Sequence, residues 1–461
     1  MIRIVTRLAA CMAIALLSVL TPPAFAAQVP GISADLMRPG LTPAEQDQQL
    51  ALIASVGAGI TRVDVGWSAL EQDAKGEYQD YYLDQLDALV NSATAHGVKL
   101  LLTFTDSPCW ASAAPESLKQ GCTGAWWERG VQRYPPADPH DYADALAFLA
   151  SRYGGHVAGW EVWNEPNLQY FFNSENRAAD YVKLVRAAYP AAKAADPATW
   201  VVAGSLSEAP LNFVEQLFDE GLAGHYDAFS LHPYCGDKSP LDPLTPEYVK
   251  NSFVSGIRAV RKILVQHGQA DTPIWLSEFG WTTSTIRGQQ PWMNGVDEDV
   301  QAEYVEQALK KVRDWPWVPV ALIYELKDYS ADRDDRNSNY GLLRYDGTPK
   351  PAFEAFRRGA AALIEGPTDS DPHSHDPNEP RHLRVWLDRS DGRAFARGVG
   401  EPRRFVRVRV YRYLRGKHRF ARRPSYKAKV KVRASGRIKH RLEDRFEQGR
   451  WRVKAKYARS A

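Results

Sequence analysis

From about residue 31 to 364 the chain alternates between two hydrophobic patterns. Short runs rich in β-branched and large apolar residues occur at 32–36, 60–65, 98–105, 157–162, 200–204, 228–231, 274–278 and 320–324. Their length and composition suit buried strands. Longer stretches at 80–96, 142–153, 178–195, 247–267, 298–313 and 351–363 repeat apolar residues every three or four positions, as a helix with one buried face does. Two helix starts carry entry chemistry. Thr42-Pro43-Ala44-Glu45 reads as a capping box with proline at the first helical position, and Thr245-Pro246-Glu247 is similar. Strands alternating with helices imply parallel βαβ units, and eight is the number that closes a (β/α)₈ barrel. An open doubly wound sheet is the competitor. It usually brings a glycine-rich phosphate loop after its first strand, and none stands here. The expected fold class is therefore α/β, a (β/α)₈ TIM barrel over residues 27–364, followed by a small all-β domain.

That second domain shows as a change of period. Residues 365–380 contain four prolines and no large apolar side chain, the composition of a linker. Beyond it, over 381–461, the period becomes two. Val406, Val408 and Val410 alternate with Arg407 and Arg409, and Val430 and Val432 alternate with Lys429, Lys431 and Arg433. Trp451, Val453, Ala455 and Tyr457 alternate with Arg452, Lys454 and Lys456. Each strand would have one apolar and one basic face, which suits a small β-sandwich.

Charge sharpens this division. The whole chain of 461 residues has a formal net charge of only +3. Residues 381–461 hold 28 lysines and arginines against 6 aspartates and glutamates, which leaves 30 against 49 in residues 1–380. The two parts are electrostatically opposite, and the basic one suits an anionic surface polymer. Its other reading is a solvated basic face. No motif for sequence-specific nucleic-acid readout accompanies it. At 44% hydrophobic and 25% charged, the composition excludes disordered, collagenous and multi-span membrane chains.

The first 26 residues read as a secretory signal. Arg3 and Arg7 precede an apolar run, and Ala24-Phe25-Ala26 offers small residues for cleavage. The apolar run is short for a membrane span, and no other approaches that length. A secreted chain meets oxidising conditions, so Cys109 and Cys122, 13 positions apart, are candidate disulfide partners, with Cys235 left over as a thiol. No CxxC or HExxH spacing is present, and neither a cofactor nor a metal is expected.

The densest chemistry lies in Trp160-Glu161-Val162-Trp163-Asn164-Glu165-Pro166-Asn167 and in Ile274-Trp275-Leu276-Ser277-Glu278-Phe279-Gly280-Trp281. Asn164 and Glu165 fall at the C-terminal end of the fourth strand and Glu278 at that of the seventh. A barrel builds its site on this face. An ionised carboxylate between Leu276 and Phe279 is costly to desolvate unless it is paired or used. Two carboxylates from the same ends of two strands are what glycoside hydrolysis needs. Buried structural carboxylates are the alternative.

With these motifs in view, the chain resembles the clan A retaining glycoside hydrolases, and within them family 39, including its secreted exopolysaccharide endoglycosidases. Trp163-Asn164-Glu165-Pro166 and Ser277-Glu278-Phe279-Gly280 are similar to the acid/base and nucleophile strand ends of that clan. Asn339-Tyr340-Gly341-Leu342 resembles the turn entering the last helix. The resemblance implies Glu165 as general acid then base, Glu278 as nucleophile, and Asn164 on the sugar 2-hydroxyl. It places His232 and Tyr234 in the site, with Tyr234 hydrogen-bonded to Glu278. One residue can serve both steps, because a negative Glu278 favours the proton on its neighbour until esterification removes that charge.

Arg62 on the second strand either orients a site carboxylate or forms a structural ion pair. Aromatic residues follow many strands, among them Trp67, Trp110, Trp126, Trp127, Tyr170, Phe171, Phe172, Trp281 and Tyr329. They form sugar-stacking subsites or simply pack, and Trp67, Trp110, Trp281 and Tyr324 are the substrate-binding candidates among the aromatics. The family's pattern often has tryptophan at the end of the eighth strand. Here Tyr324 stands there, with Glu325 next as a recognition candidate. The expected partner is a polysaccharide. A non-hydrolytic carbohydrate-binding or matrix-attachment protein, or a transglycosylase, is the alternative.

Overall fold

The computed structural model describes residues 27–242 and 251–366, together with seven strands between positions 384 and 457. The expected signal segment, the second capping sequence at 245–247 and nearly all of the linker lie outside the described residues. Eight parallel strands close a barrel in sequence order: β1 (Val29–Ser33), β2 (Ile60–Gly66), β3 (Lys99–Thr105), β4 (Gly159–Val162), β5 (Trp200–Ser207), β6 (Ala228–His232), β7 (Ile274–Phe279) and β8 (Val320–Tyr324). A helix follows each strand, so every connection is a crossover. The first helix, Pro43–Ser55, has its capping box complete: the Thr42 hydroxyl accepts from the Glu45 amide, and the Thr42 amide donates to the Glu45 carboxylate. A further helix at Leu211–Asp219 was not among the expected ones. Its nine residues are too few to show a period clearly.

The strands follow the sequence pattern, except that β1 is displaced, β4 starts two residues later and β5 runs on to Ser207. β1 begins at Val29 rather than 32, across Pro30-Gly31, a pair that normally punctuates a chain. Gly31 is needed there: a Cβ would sit 2.6 Å from the Ile60 carbonyl oxygen and 2.8 Å from Leu322.

Strand alternation sorts the core into two layers. Val63, Leu102, Trp160, Val201, Phe229, Leu276 and Ile323 face outward into the packed layer beneath the helices. Ile60, Leu101, Val202, Ala228, Trp275, Val320 and Leu322 point inward and fill the N-terminal half of the barrel. Two residues further along, the inward positions turn polar: Arg62 on β2, Thr103 on β3, Glu161 on β4 and Ser230 on β6 are all buried. The barrel thus has an apolar floor and a polar ceiling, and the ceiling supports the site.

Alternation fails at two places, both bulges. Between Ala203 and Leu206, β5 sets three residues against two of β6, and between Leu276 and Phe279, β7 does the same against β8. Strict parity with Trp275 would send Glu278 outward beside Leu276. The extra residue turns it inward.

The chain divides into two compact units after Thr368. In the second, β9 (Arg384–Ser390), β10 (Arg393–Val399), β11 (Phe405–Leu414), β12 (Arg419–Phe420), β13 (Tyr426–Lys431), β14 (Arg437–Arg441) and β15 (Trp451–Tyr457) pair antiparallel. β10 lies between β9 and β14, while β11 pairs with β12, β13 and β15.

Candidate active site

Arg62 organises the polar ceiling. It is buried, and its Nε donates to Glu161 Oε2 at 2.7 Å, its Nη1 to Glu278 Oε1 at 2.6 Å and its Nη2 to Asn164 Oδ1 at 2.8 Å. Asp64 Oδ1 lies 3.0 Å from Nη1. Burial by itself would weaken the guanidinium's hold on its proton, but Asp64, Glu278 and Glu161 together outweigh that. Glu161 is held below the ordinary glutamate range although burial pushes it up, because Arg62 and then His232 favour its charge. Thr103 donates to it at 2.8 Å.

Two carboxylates stand above this layer, each 8% exposed. Glu165 follows β4 at a positive φ of 43° after Trp163 at 65°, a backbone excursion that favours glycine and clusters at functional sites in other residues. The bent segment is fastened by the Glu165 amide, which donates to the Ser205 carbonyl at 2.9 Å. Glu278 receives Arg62 on one oxygen and the Tyr234 hydroxyl on the other, at 2.6 Å each. Burial first, then the charge of Glu278, keeps the Tyr234 phenol well above its usual range, so it remains a donor.

His232, the last residue of β6, bridges the pair. Its Nδ1 is 3.0 Å from Glu165 Oε1 and 3.6 Å from Glu278 Oε2. Burial favours the neutral ring, yet Glu278 and Glu165 prevail and lift the imidazole above its ordinary value. One donor atom each from Glu165, His232 and Glu278 lie within 4.8 Å of one another. Three such groups could hold a cation by number, but Glu278 already has the Arg62 charge against it. What the arrangement offers directly is two neighbouring carboxylates, one of them fixed between two donors.

The aromatic candidates divide by burial. Trp67 and Trp281 are 0% and 1% exposed, which corrects their assignment to substrate binding: no ring face is open to a sugar. Trp67 donates to Glu71 and packs edge-on against Trp110 and Tyr142, while Trp281 donates to the Lys238 carbonyl and packs against Phe253. Trp126 and Phe172 are also core. Trp110 is half-buried, with its indole nitrogen tied to the Glu71 carbonyl. Tyr324 is half-buried beside Tyr234, the rings edge-to-face at 6.2 Å. Trp127 and Tyr170 are 49% and 59% exposed.

Glu325 is buried at the top of β8, and burial holds its carboxyl well above the usual range. It lines a cavity of about 250 Å³ with Asp35, Arg38, Asp328 and Tyr329, beside the carboxylate pair rather than at it. Cys109 and Cys122 form a disulfide. Cys235 is buried, its thiol pushed up to about 12 by that burial, and is no nucleophile.

Glu161 and Ser205 belong to this site without a clear signal in the sequence. Glu161 lies inside the Trp160–Asn167 motif, and its place between the outward Trp160 and Val162 puts it on the inward face of β4. Ser205 carried no signal, because its position depends on the β5 bulge.

Comparison with known proteins agrees with the geometry. The family model for glycosyl hydrolases family 39 matches residues 80–365. The chain belongs to family 39. A family relative described as a β-xylosidase, from Geobacillus stearothermophilus, is 26% identical over 330 residues, covering 65% of this chain. The chain spans 60% of that relative's length. A family 39 glycoside hydrolase from Bacteroides cellulosilyticus WH2 superposes with a TM-score of 0.58 at 20% identity, over 90% of this chain and 78% of its own. The family 39 enzyme from Xanthomonas axonopodis pv. citri gives 0.54 at 17% identity, over 91% and 93%. At these identities the two structures speak for the fold, and the family 39 assignment rests on the matched model.

Proposed function

We propose that the barrel is a secreted retaining glycoside hydrolase that cleaves a polysaccharide by double displacement. The observation that carries this reading is the carboxylate pair: one oxygen of Glu165 and one of Glu278 lie within 4.8 Å. Retaining enzymes hold their carboxyls about 5–5.5 Å apart, whereas inverting ones need roughly 6.5–9.5 Å to admit a water.

In the first step a Glu278 oxygen attacks the anomeric carbon, the bond to the leaving oxygen breaks, and Glu165 gives that oxygen its proton. In the second, water attacks the same carbon, Glu165 takes the water's proton, and Glu278 departs as carboxylate. Arg62 and Tyr234 set the direction of Glu278 before attack, which saves reorganisation during the step. Asn164 spends its carbonyl on Arg62, so its amide NH₂ is free to donate to the sugar 2-hydroxyl. Tyr324 and Trp110 are the half-buried rings proposed to border the sugar.

We further propose that β9–β15 form a sandwich whose basic faces, read from the alternation in the sequence, retain the enzyme on an anionic surface polymer. Export through residues 1–26 completes this picture of an extracellular enzyme.

The test is reducing-end release from a panel of plant, bacterial and host polysaccharides by the wild type and by Glu278→Gln, with aryl β-xylosides included because of the Geobacillus relative. Release by the wild type alone is expected. Equal release by both would remove Glu278 from the mechanism. Silence from both folded proteins would favour a carbohydrate-binding barrel.

A further inference from the structure

The bulge in β5 ties three residues into a ring. The Glu165 amide donates to the Ser205 carbonyl at 2.9 Å, the Ser205 Oγ lies 3.2 Å from His232 Nε2, and His232 Nδ1 lies 3.0 Å from Glu165 Oε1. Ser205 itself sits at a φ of 49°, next to Gly204 at 116°. Gly204 has no room for a side chain, since a Cβ there would meet the Ser230 carbonyl oxygen at 2.5 Å. The bulge is pinned from two further sides: the Gly204 amide donates to the Tyr181 hydroxyl at 2.8 Å, and the Ser205 amide to Ser230 Oγ at 2.7 Å. A non-glycine residue in the left-handed region costs about 1–3 kcal/mol and persists only where its surroundings enforce it. Here four hydrogen bonds do so, with Glu165, His232, Tyr181 and Ser230 as partners.

We propose that Ser205 is a positioning residue for the acid/base: through His232 it determines which oxygen of Glu165 carries the transferable proton. This rests on the reading of Glu165 as acid/base. With Nδ1–H directed at Oε1, that oxygen is occupied as an acceptor, and the proton for the leaving group sits on Oε2. The Ser205 hydroxyl suits both states of the ring, since it donates to an unprotonated Nε2 and accepts from a protonated one. His232 therefore keeps the same tautomer at Nδ1 while Glu165 loses and regains its proton. The other charged groups facing the ring are Glu161 beside Glu165 on the β4 side, Glu278 from β7, and Arg62 and Asp64 from β2. Among the described residues, the hydrogen bond at Nε2 is to Ser205, which fixes that end of the ring.

The experiment compares wild type, Ser205→Ala and Ser205→Gly on two xylosides that differ in leaving group. Alanine keeps the Cβ and removes the hydroxyl, and glycine keeps the positive φ should alanine fail to fold. A 2,4-dinitrophenyl group departs with little help, whereas an unsubstituted phenyl group needs the acid. For the phenyl glycoside kcat/KM should fall about 10- to 100-fold, part of what a general acid supplies, with the alkaline limb of its pH profile displaced. For the dinitrophenyl glycoside it should stay within about twofold. Equal losses on both, or no loss on either, would overturn the proposal. The ¹⁵N resonances of the His232 ring test it independently of turnover: Ser205→Ala should move the Nε2 signal, and an unmoved signal overturns the proposal even if the enzyme is active. If the wild type cleaves neither glycoside, the glycosidase reading fails on these probes, while the ring nitrogens still decide for or against Ser205.

Discussion

Arg62 is the residue on which the site's electrostatics turn. A single guanidinium donates to Glu161, Glu278 and Asn164. Arginine's planar fork makes three directed contacts that a lysine's point charge would not reproduce. Removing it strands Glu161 as a buried charge, so Arg62→Met should cost about 3–5 kcal/mol of stability in urea unfolding, and Arg62→Lys should retain more stability than activity. Asp106, after β3, makes a pH-dependent contribution. Burial and then the charge of Asp64 raise its carboxyl to about 7, against the pull of Arg133. An unfolded aspartate titrates near 4. The folded state therefore binds the extra proton between about pH 4 and 7, and the stability this confers is present at low pH and lost as pH rises through that window. Asp106→Asn should melt like the wild type near pH 4 and above it at pH 8. Asparagine also tolerates the positive φ of 67° found there. Equal shifts at both pH values would contradict the assignment.

At the scale of elements, what the sequence reveals and what it hides follow from periodicity. The strand runs and the helix period gave the barrel, because each reports a face that must be buried. Glu165 and Glu278 were visible as carboxylates lodged among aromatic and apolar residues. The bulges were not visible: Ser277-Glu278 sits in a run that reads as plain strand, Gly204-Ser205 straddles the end of another, and only the pairing with β6 and β8 shows three residues spanning two. Trp67 and Trp281 were misread for a related reason. Their place after a strand suggested a cleft, but both rings are buried, with the Trp67 indole donating to Glu71 and that of Trp281 to the Lys238 carbonyl. The β5 bulge makes a direct test. Gly204→Ala should destabilise the fold by at least about 1–3 kcal/mol, through backbone strain and the clash of its Cβ with the Ser230 carbonyl oxygen, and lower activity with it, as read by thermal melting and turnover together. The disulfide belongs to this scale too. Closing a loop of 13 positions is worth about 3 kcal/mol in the chain-entropy model, so Cys109→Ser with Cys122→Ser should lower the unfolding free energy by that order while leaving the carboxylate pair in place.

At the scale of the whole molecule, two units of opposite charge share one chain. The acidic unit carries the carboxylate pair, and the basic one is proposed to hold the enzyme on an anionic polymer. Such retention works through released counterions and screened charge, so it should weaken steeply as salt rises. A chain ending at residue 366 should lose sedimentation with an anionic polysaccharide while keeping its turnover of a soluble aryl glycoside. Binding indifferent to salt would count against the anchoring role. The proposed chemistry itself is tested most directly by trapping. The wild type would be incubated with 2,4-dinitrophenyl 2-deoxy-2-fluoro-β-xyloside, which forms the glycosyl-enzyme and hydrolyses slowly, and the protein and its peptides would be weighed by mass spectrometry. The expected result is a single added fluoroxylosyl group on the peptide containing Glu278, absent in Glu278→Gln. An adduct on another residue, or continued hydrolysis of this sugar's glycosides with no adduct formed, would contradict the double-displacement reading.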